Sequence, residues 1–425
     1  MNKFLLFIGL LLFMGSCQPA LYTVSHKTHN PLTRILDAHA AEFDSIIRHP
    51  ETYEVQIIYT QIDRDQQQRP HFTSYWWNVD STRYFYPASM VKMPLAALAL
   101  EKINTLRRNG YPALMKSTPY RIDSVRAFQR EYAIDSTAPG NVPSIAHDIR
   151  RVFTVSDNHA YNHLFEFLGR AGINQTLREK GYTRTGIVRR FFAGGRDNAY
   201  SSPITFLDIS GHTRWKQGEL HDTIAWVNPQ RALLKGTGYW DSQGELVQKP
   251  FDFSVHNWFA LTDMEKMLRA IVFPEAAEPA NRFDLTSKDY AFLWRYMGGF
   301  PRECDYPKYD STAFWDGYVK LFLFGDTRER QDGSVRVLNK VGEAYGTLTD
   351  VAYIVDFKNN VEFILAATIL CNSDGIFNDD RYEYETVGFP FLARLGRAVY
   401  AYERQRKRKI VPDLKPFADA LPAGQ

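Results

Sequence analysis

Residues 334–370 read SVRVLNKVGEAYGTLTDVAYIVDFKNNVEFILAATIL, and the architecture of the chain is decided there. Three runs, 334–341, 347–356 and 361–370, are dominated by Val, Ile, Leu, Ala and Thr, residues that fit a pleated, buried surface. Gly and Asn residues between the runs supply the turns. The pattern predicts three consecutive antiparallel strands late in the chain.

Working outward, YEVQIIYTQ (53–61) and HFTSYWWNV (71–79) read as two more strands joined by a polar turn. Upstream of them, Leu32, Ile35, Leu36, Ala40, Phe43 and Ile46 recur at helical spacing over 31–48, ahead of Pro50. A long helix is expected over 90–103, where Pro94 stands close enough to the start to be tolerated. Between 110 and 300 the clearest segments are helical, at 157–168, 173–180, 263–271 and 287–296, and a last helix is expected over 388–405. Helix, two strands, helical block, three strands and helix together predict an α/β (α+β) sandwich. Its antiparallel five-stranded sheet is flanked by N- and C-terminal helices, and an all-helical lobe is inserted between the sheet's halves. This is one interleaved domain over 31–405. The run RQRKRK (404–409) opens a segment, 406–425, expected to be a basic, polar tail.

Composition narrows the function. The 425 residues include 44% hydrophobic ones, ample for a packed core. The 51 basic and 48 acidic residues nearly cancel, so no global field favours nucleic acid. At the N-terminus Lys3 precedes the apolar run Phe4 to Met14, too short to span a bilayer and suited to a signal-peptide core. The small residues before Cys17, in Met14-Gly15-Ser16-Cys17, resemble the lipobox at which bacterial lipoproteins are cleaved and acylated. Residues 1–16 are therefore expected to be a signal peptide, Cys17 the lipidation site and membrane anchor, and 17–30 a linker, giving an exported cell-envelope protein, periplasmic or anchored at the outer membrane. Cys304 and Cys371 remain, expected as buried free thiols although export would permit a disulfide. The scattered histidines give no metal-ligand spacing, and no cofactor is implied.

Three short motifs carry chemistry. Ser89-Met90-Val91-Lys92 is the only S-x-x-K in the chain and opens the expected long helix, where positions i and i+3 share a face. A serine hydroxyl is a weak nucleophile unless a desolvated, deprotonated amine takes its proton. Ser156-Asp157-Asn158 opens another helix, and either Ser156 or Asp157 would serve as its cap. Lys340-Val341-Gly342 lies on an expected strand, where a lysine can meet a substrate carboxylate and a glycine permits close backbone approach. Arg184-Thr185-Gly186 superficially looks like this third motif, but it comes too soon after Ser156 and no strands follow it.

The order S-x-x-K, S-D-N, K-x-G, with the expected order of elements, resembles the class A β-lactamases and the penicillin-binding D-alanyl-D-alanine peptidases over most of 31–405. The resemblance implies Ser89 as nucleophile, Lys92 as its base and Ser156 as proton relay. It implies substrate binding by Asn158, Lys340 and Gly342, and an oxyanion hole from the backbone N–H groups of Ser89 and Glu343. A β-lactam or a cell-wall peptide is the implied substrate.

The chain departs from that family in three places. Val341 stands where a threonine or serine hydroxyl usually helps to bind the substrate carboxylate. The deacylating glutamate of class A enzymes would fall near Phe191, yet residues 189–198 contain no glutamate, and Asp197 is the nearest acid. The loop region, about 189–330, is enlarged. Either Ser201-Ser202-Pro203 or Leu261-Thr262-Asp263 continues the family pattern after the active-site loop, and Trp215, Trp226, Tyr239, Trp240, Trp258, Trp294 and Trp315 are available to line an altered groove or to fill core.

Overall fold

A computed structural model describes residues 30–191 and 197–422. The expected signal peptide, linker residues up to 29 and Cys17 lie outside them.

Strands β1 (Gln56–Arg64) and β2 (Pro70–Trp77) form the expected hairpin, and β3 (Val335–Ala344), β4 (Thr347–Asp356) and β5 (Val361–Leu370) form the late meander. They join in one antiparallel five-stranded sheet of order β3-β4-β5-β1-β2, with Tyr59 opposite Leu365 and Lys340 opposite Val351. Successive side chains alternate between two cores. Leu338, Val351, Tyr353, Ile364 and Ala366 face the inserted lobe, whereas Val337, Ala352, Ile354, Leu365 and Ala367 face the terminal helices. Both faces are covered, so the strands read as continuous apolar runs instead of alternating polar and apolar positions.

The terminal helices are α1 (Pro31–Ala38), α2 (Ala40–Ile47) and, much later in the chain, a 17-residue helix at Phe389–Gln405. The single helix expected over 31–48 is broken at His39, which leaves helical geometry at ψ 30°. The lobe's central helix, α3 (Lys92–Arg108), is buried from Lys92 through Leu100, and α4 (Ile145–Thr154), α5 (Asn158–Leu168), α6 (Arg170–Glu179), α7 (Leu261–Val272) and α8 (Ser287–Gly298) surround it. Counting on in chain order, Phe389–Gln405 is α9 and Lys415–Ala420 is α10.

Two expectations need correction. The lobe is not wholly helical, because the enlarged region contains short strands: Ile204–Leu207 pairs with Tyr120–Ile122 and Thr213–Gln217, and Gly238–Trp240 pairs with Leu246–Val247 and Ile376–Phe377. Strands of two to five residues are too short to show a period in sequence. Nor do residues 406–422, the described part of the expected 406–425 tail, form a polar tail. Leu414, Phe417 and Leu421 are buried, and the Phe417 ring packs at 4.8 Å from Trp294 and 4.9 Å from Tyr353. Arg406 and Arg408 bind the buried carboxylate of Glu403, so part of the basic run is spent inside the fold. Cys304 and Cys371 are free and buried.

Candidate active site

Ser89 lies in a 3-10 turn, Ala88–Val91, that leads into α3, so Lys92 is the first residue of the helix proper. Its Nζ lies 2.7 Å from Ser89 Oγ, 2.6 Å from Asn158 Oδ1 and 3.2 Å from Ser156 Oγ, and it also bonds the Ser156 carbonyl. Lys340, on β3, places its Nζ 2.9 Å from the same Ser156 Oγ and 2.8 Å from the Val341 carbonyl. The three motifs, far apart in sequence, therefore converge on one serine-lysine-serine-lysine chain.

Local rules account for the placement. Asp157 is the N-cap of α5: its carboxylate accepts from Ala160 N at 2.8 Å and from Arg151 at 2.7 Å. Burial opposes ionisation of that carboxyl, but Arg151 and the cap bond hold it below its usual range. Ser156 is thereby freed from capping. Its φ of 58° turns both its carbonyl and its hydroxyl toward Lys92. A side chain at Gly342 is excluded by geometry, since a Cβ there would sit 2.4 Å from the Pro87 carbonyl and 3.0 Å from Met90. Glycine lets β3 press against the turn that carries Ser89. The Ser89 N–H donates to no backbone carbonyl among the described residues, as an oxyanion donor requires.

Electrostatics prepare a base. Lys92 is completely buried; desolvation, reinforced by the charge of Lys340 and opposed by Asp157, holds its pKa well below that of an ordinary lysine. Desolvation also brings Lys340 down to about 7, against the pull of Asp350 and with help from Lys320. Behind β3, on the sheet's other face, Asn339 links Lys320 (2.9 Å) to Asp350 (2.8 Å) in a buried polar cluster.

At the position expected for a deacylating glutamate, the Phe191 ring lies 5.1 Å from Lys92 Nζ and 4.7 Å from the Tyr161 ring. Asn162 pins the Phe191 backbone with bonds of 2.8 and 3.0 Å. Asp197 is exposed and caps a turn through Ala199 N. Val341 is buried in the core of the terminal-helix face with Val319, and Tyr318 packs against that core.

Asn257 fastens the segment leading to Phe191, accepting from Val188 N at 2.7 Å and Arg189 N at 3.0 Å. Arg190 and Glu166 form a buried two-pronged ion pair with both bonds at 2.8 Å. Sequence reading did not single out Asn162, Asn257 or Glu166, because each acts on a loop distant in the chain. The decoy Thr185-Gly186 pairs with Trp258–Phe259. Thr185 also binds Asp263, at the start of α7. The tryptophans serve mainly as packing: Trp258 covers Gly186, Trp294 meets Phe417, and Trp215 meets Phe167 and Phe206.

A family model described as "Beta-lactamase enzyme family" matches residues 40–285. The chain belongs to that family. The match includes Ser89, Lys92, Ser156 and Asn158 and ends before Lys340, so the third motif of this family member is placed by the geometry above. Solved structures similar to it include a β-lactamase from Xanthomonas campestris (17% identity, TM-score 0.43, covering 86% of this chain and 97% of that one). A chromosome-encoded β-lactamase of Vibrio parahaemolyticus aligns at 13% identity, TM-score 0.47, over 86% and 99% of the two chains. PBP-A aligns at 14% identity, TM-score 0.48, over 90% and 98%. No curated protein matches the chain.

Proposed function

We propose that this β-lactamase-family serine hydrolase is an acyl-transfer enzyme that forms an ester at Ser89. The observation that carries the reading is the buried Lys92 amine 2.7 Å from Ser89 Oγ, whose hold on its proton is weakened by burial. Ser89 Oγ attacks a carbonyl carbon as Lys92 Nζ takes its proton. The proton passes through Ser156 Oγ to the leaving nitrogen or oxygen as the carbon–heteroatom bond breaks. Lys340 keeps Ser156 in line, the Asn158 amide N–H groups meet a substrate carbonyl, and the N–H groups of Ser89 and Glu343 receive the oxyanion. Water later cleaves the ester and regenerates the hydroxyl.

The favoured substrates are peptidoglycan-derived peptides or related amides and esters, including those a D-alanyl-D-alanine peptidase would cleave. β-Lactams are captured more readily than they are hydrolysed. Phe191 supports this ordering, because a phenyl ring cannot activate the deacylating water, and general-base catalysis is typically worth ~10²- to 10⁴-fold. The same ring favours a second reading, a ligand-trapping envelope protein with negligible turnover. The N-terminal apolar run and Cys17 support anchoring in the envelope; a mass shift on the Cys17 peptide, absent in Cys17→Ser, tests that.

The decisive experiment is intact-protein mass spectrometry of wild type and Ser89→Ala with a fluorophosphonate probe and a fluorescent penicillin. A persistent adduct abolished by the substitution is expected. Rapid penicillin turnover would contradict the role given to Phe191, and labelling of neither reagent at Ser89 would leave only the trapping reading.

A further inference from the structure

The aromatic flank of the site holds a cation with no assigned partner. Arg189 is half-buried, yet among the described residues its guanidinium makes no hydrogen bond, ion pair or ring contact, in contrast to Arg190 beside it. The undescribed residues 1–29, 192–196 and 423–425 contain no Asp or Glu, so no carboxylate side chain remains to neutralise it. Asn257, next in the chain to His256, accepts from Arg189 N at 3.0 Å and donates to the Arg189 carbonyl at 3.2 Å, which brings Arg189 to the edge of an aromatic group made of Tyr86, Tyr345 and His256. The three rings form one cluster: Tyr86 to Tyr345 at 4.9 Å, Tyr86 to His256 at 5.8 Å and His256 to Tyr345 at 6.0 Å. His256 is 5% exposed, and its Nδ1 is buried with no hydrogen-bond partner among the described residues.

This cluster adjoins the nucleophile on both strands of the argument. Tyr86 is three residues before Ser89, Tyr345 is three residues after Gly342, and Arg189 is two residues, about 7 Å of extended chain, before the ring that faces Lys92. β3 is an edge strand, so its outer backbone groups can pair with an extended substrate. Tyr345 follows directly on the end of β3, so a substrate running from Ser89 past Gly342 along that edge heads toward Tyr345. In the other direction Val341 is buried, which removes the customary hydroxyl for a carboxylate.

We propose that Arg189, with Tyr86, Tyr345 and His256, binds a carboxylate carried by the acyl portion of the substrate, on the side of the scissile carbonyl that stays attached to Ser89. The inference rests on the acyl-transfer reading and adds a substrate class to it: acyl donors with an anionic side chain. The guanidinium supplies two parallel donors to the carboxylate, and the rings exclude water around the pair.

The test uses the matched peptides N-adipoyl- and N-heptanoyl-D-alanyl-D-alanine, which differ by a terminal carboxylate in the acyl chain. Each competes with fluorophosphonate labelling of Ser89 in wild type, Arg189→Ala and Arg189→Lys, and each is titrated calorimetrically into Ser89→Ala. A charged hydrogen-bonded contact predicts a preference of roughly 10- to 100-fold for the adipoyl peptide in wild type. The ratio should fall to about one in Arg189→Ala and partly recover in Arg189→Lys. Labelling of Ser89 with equal affinities for the two peptides overturns this inference and leaves the acyl-transfer reading standing. Absence of labelling overturns the latter, and the calorimetric ratio then decides on Arg189 alone.

Discussion

The two flanks of the cleft put their charges to different uses. On the Lys340 flank the charged groups around Ser156 are engaged: Lys340 bonds Ser156 and Val341, Asp157 bonds Arg151, and the Lys320–Asn339–Asp350 cluster is sealed behind β3. Val341 closes that flank with a buried apolar side chain. The Arg189 flank is built largely from aromatic rings, and among the described residues the Arg189 guanidinium has no carboxylate partner. Both flanks are held by buried groups, so the difference lies in what is left over for a ligand. On the proposed reading, one side moves a proton and the other binds the substrate.

The first way to break this contrast is to loosen one flank only. Arg190→Ala strands the buried Glu166 carboxylate, which also accepts from Ser202 N at 2.7 Å, and should cost ~3–5 kcal/mol in chemical denaturation. Because Arg190 adjoins Arg189 and Phe191, any native-state effect on Ser89 labelling should come from the aromatic flank. An unfolding midpoint unchanged from wild type would mean that the ion pair does not hold the flank.

Gly342→Ala tests the contact between β3 and the turn that carries Ser89. The added Cβ has no room beside the Pro87 carbonyl, so the strand must retreat, and a displacement near 1 Å commonly costs about 10²-fold in rate. Fluorophosphonate labelling should slow by that order while circular dichroism stays native. Undiminished labelling would show that the approach of β3 is dispensable.

Val341→Thr asks whether the Lys340 flank is really closed. A hydroxyl placed in that core has only the Asp350 carboxylate opposite it, which already accepts from Asn339 and Phe322 N, and should lower stability by ~1–3 kcal/mol in thermal or urea unfolding. It should not speed acylation by benzylpenicillin, and a tenfold gain would show that a substrate carboxylate does reach this position.

The smallest effect is expected from pH. Lys340 has a depressed pKa of about 7, so it is charged below that pH and loses its proton as pH rises through it. Its electrostatic support for Ser156 is therefore present on the acid side, and acylation should decline as pH rises above about 7. Lys340→Arg, which keeps its charge, should flatten that decline; an unaltered profile would assign the titration to another group.

The sheet was legible because β3, β4 and β5 are ten-residue runs of strand-forming residues with clear turns between them. The candidate site residues were legible because each motif has a fixed spacing on one element. Tyr86, Arg189, His256 and Tyr345 share no spacing, being brought together by four separate loops, and only the folded chain unites them. The docking of residues 414–421 was hidden differently: Pro412, Pro416 and the preceding basic run masked three apolar positions that fill core.

That last segment bears on how the molecule comes into being. Phe417 sits between Phe273, Trp294 and Tyr353, where lobe and sheet meet. Until residue 421 has been synthesised, those rings lack their lid and present a greasy seam to chaperones, proteases and neighbouring nascent chains. A version ending at 405 would carry all three motifs and still be an unfinished molecule, with aggregation as its expected fate.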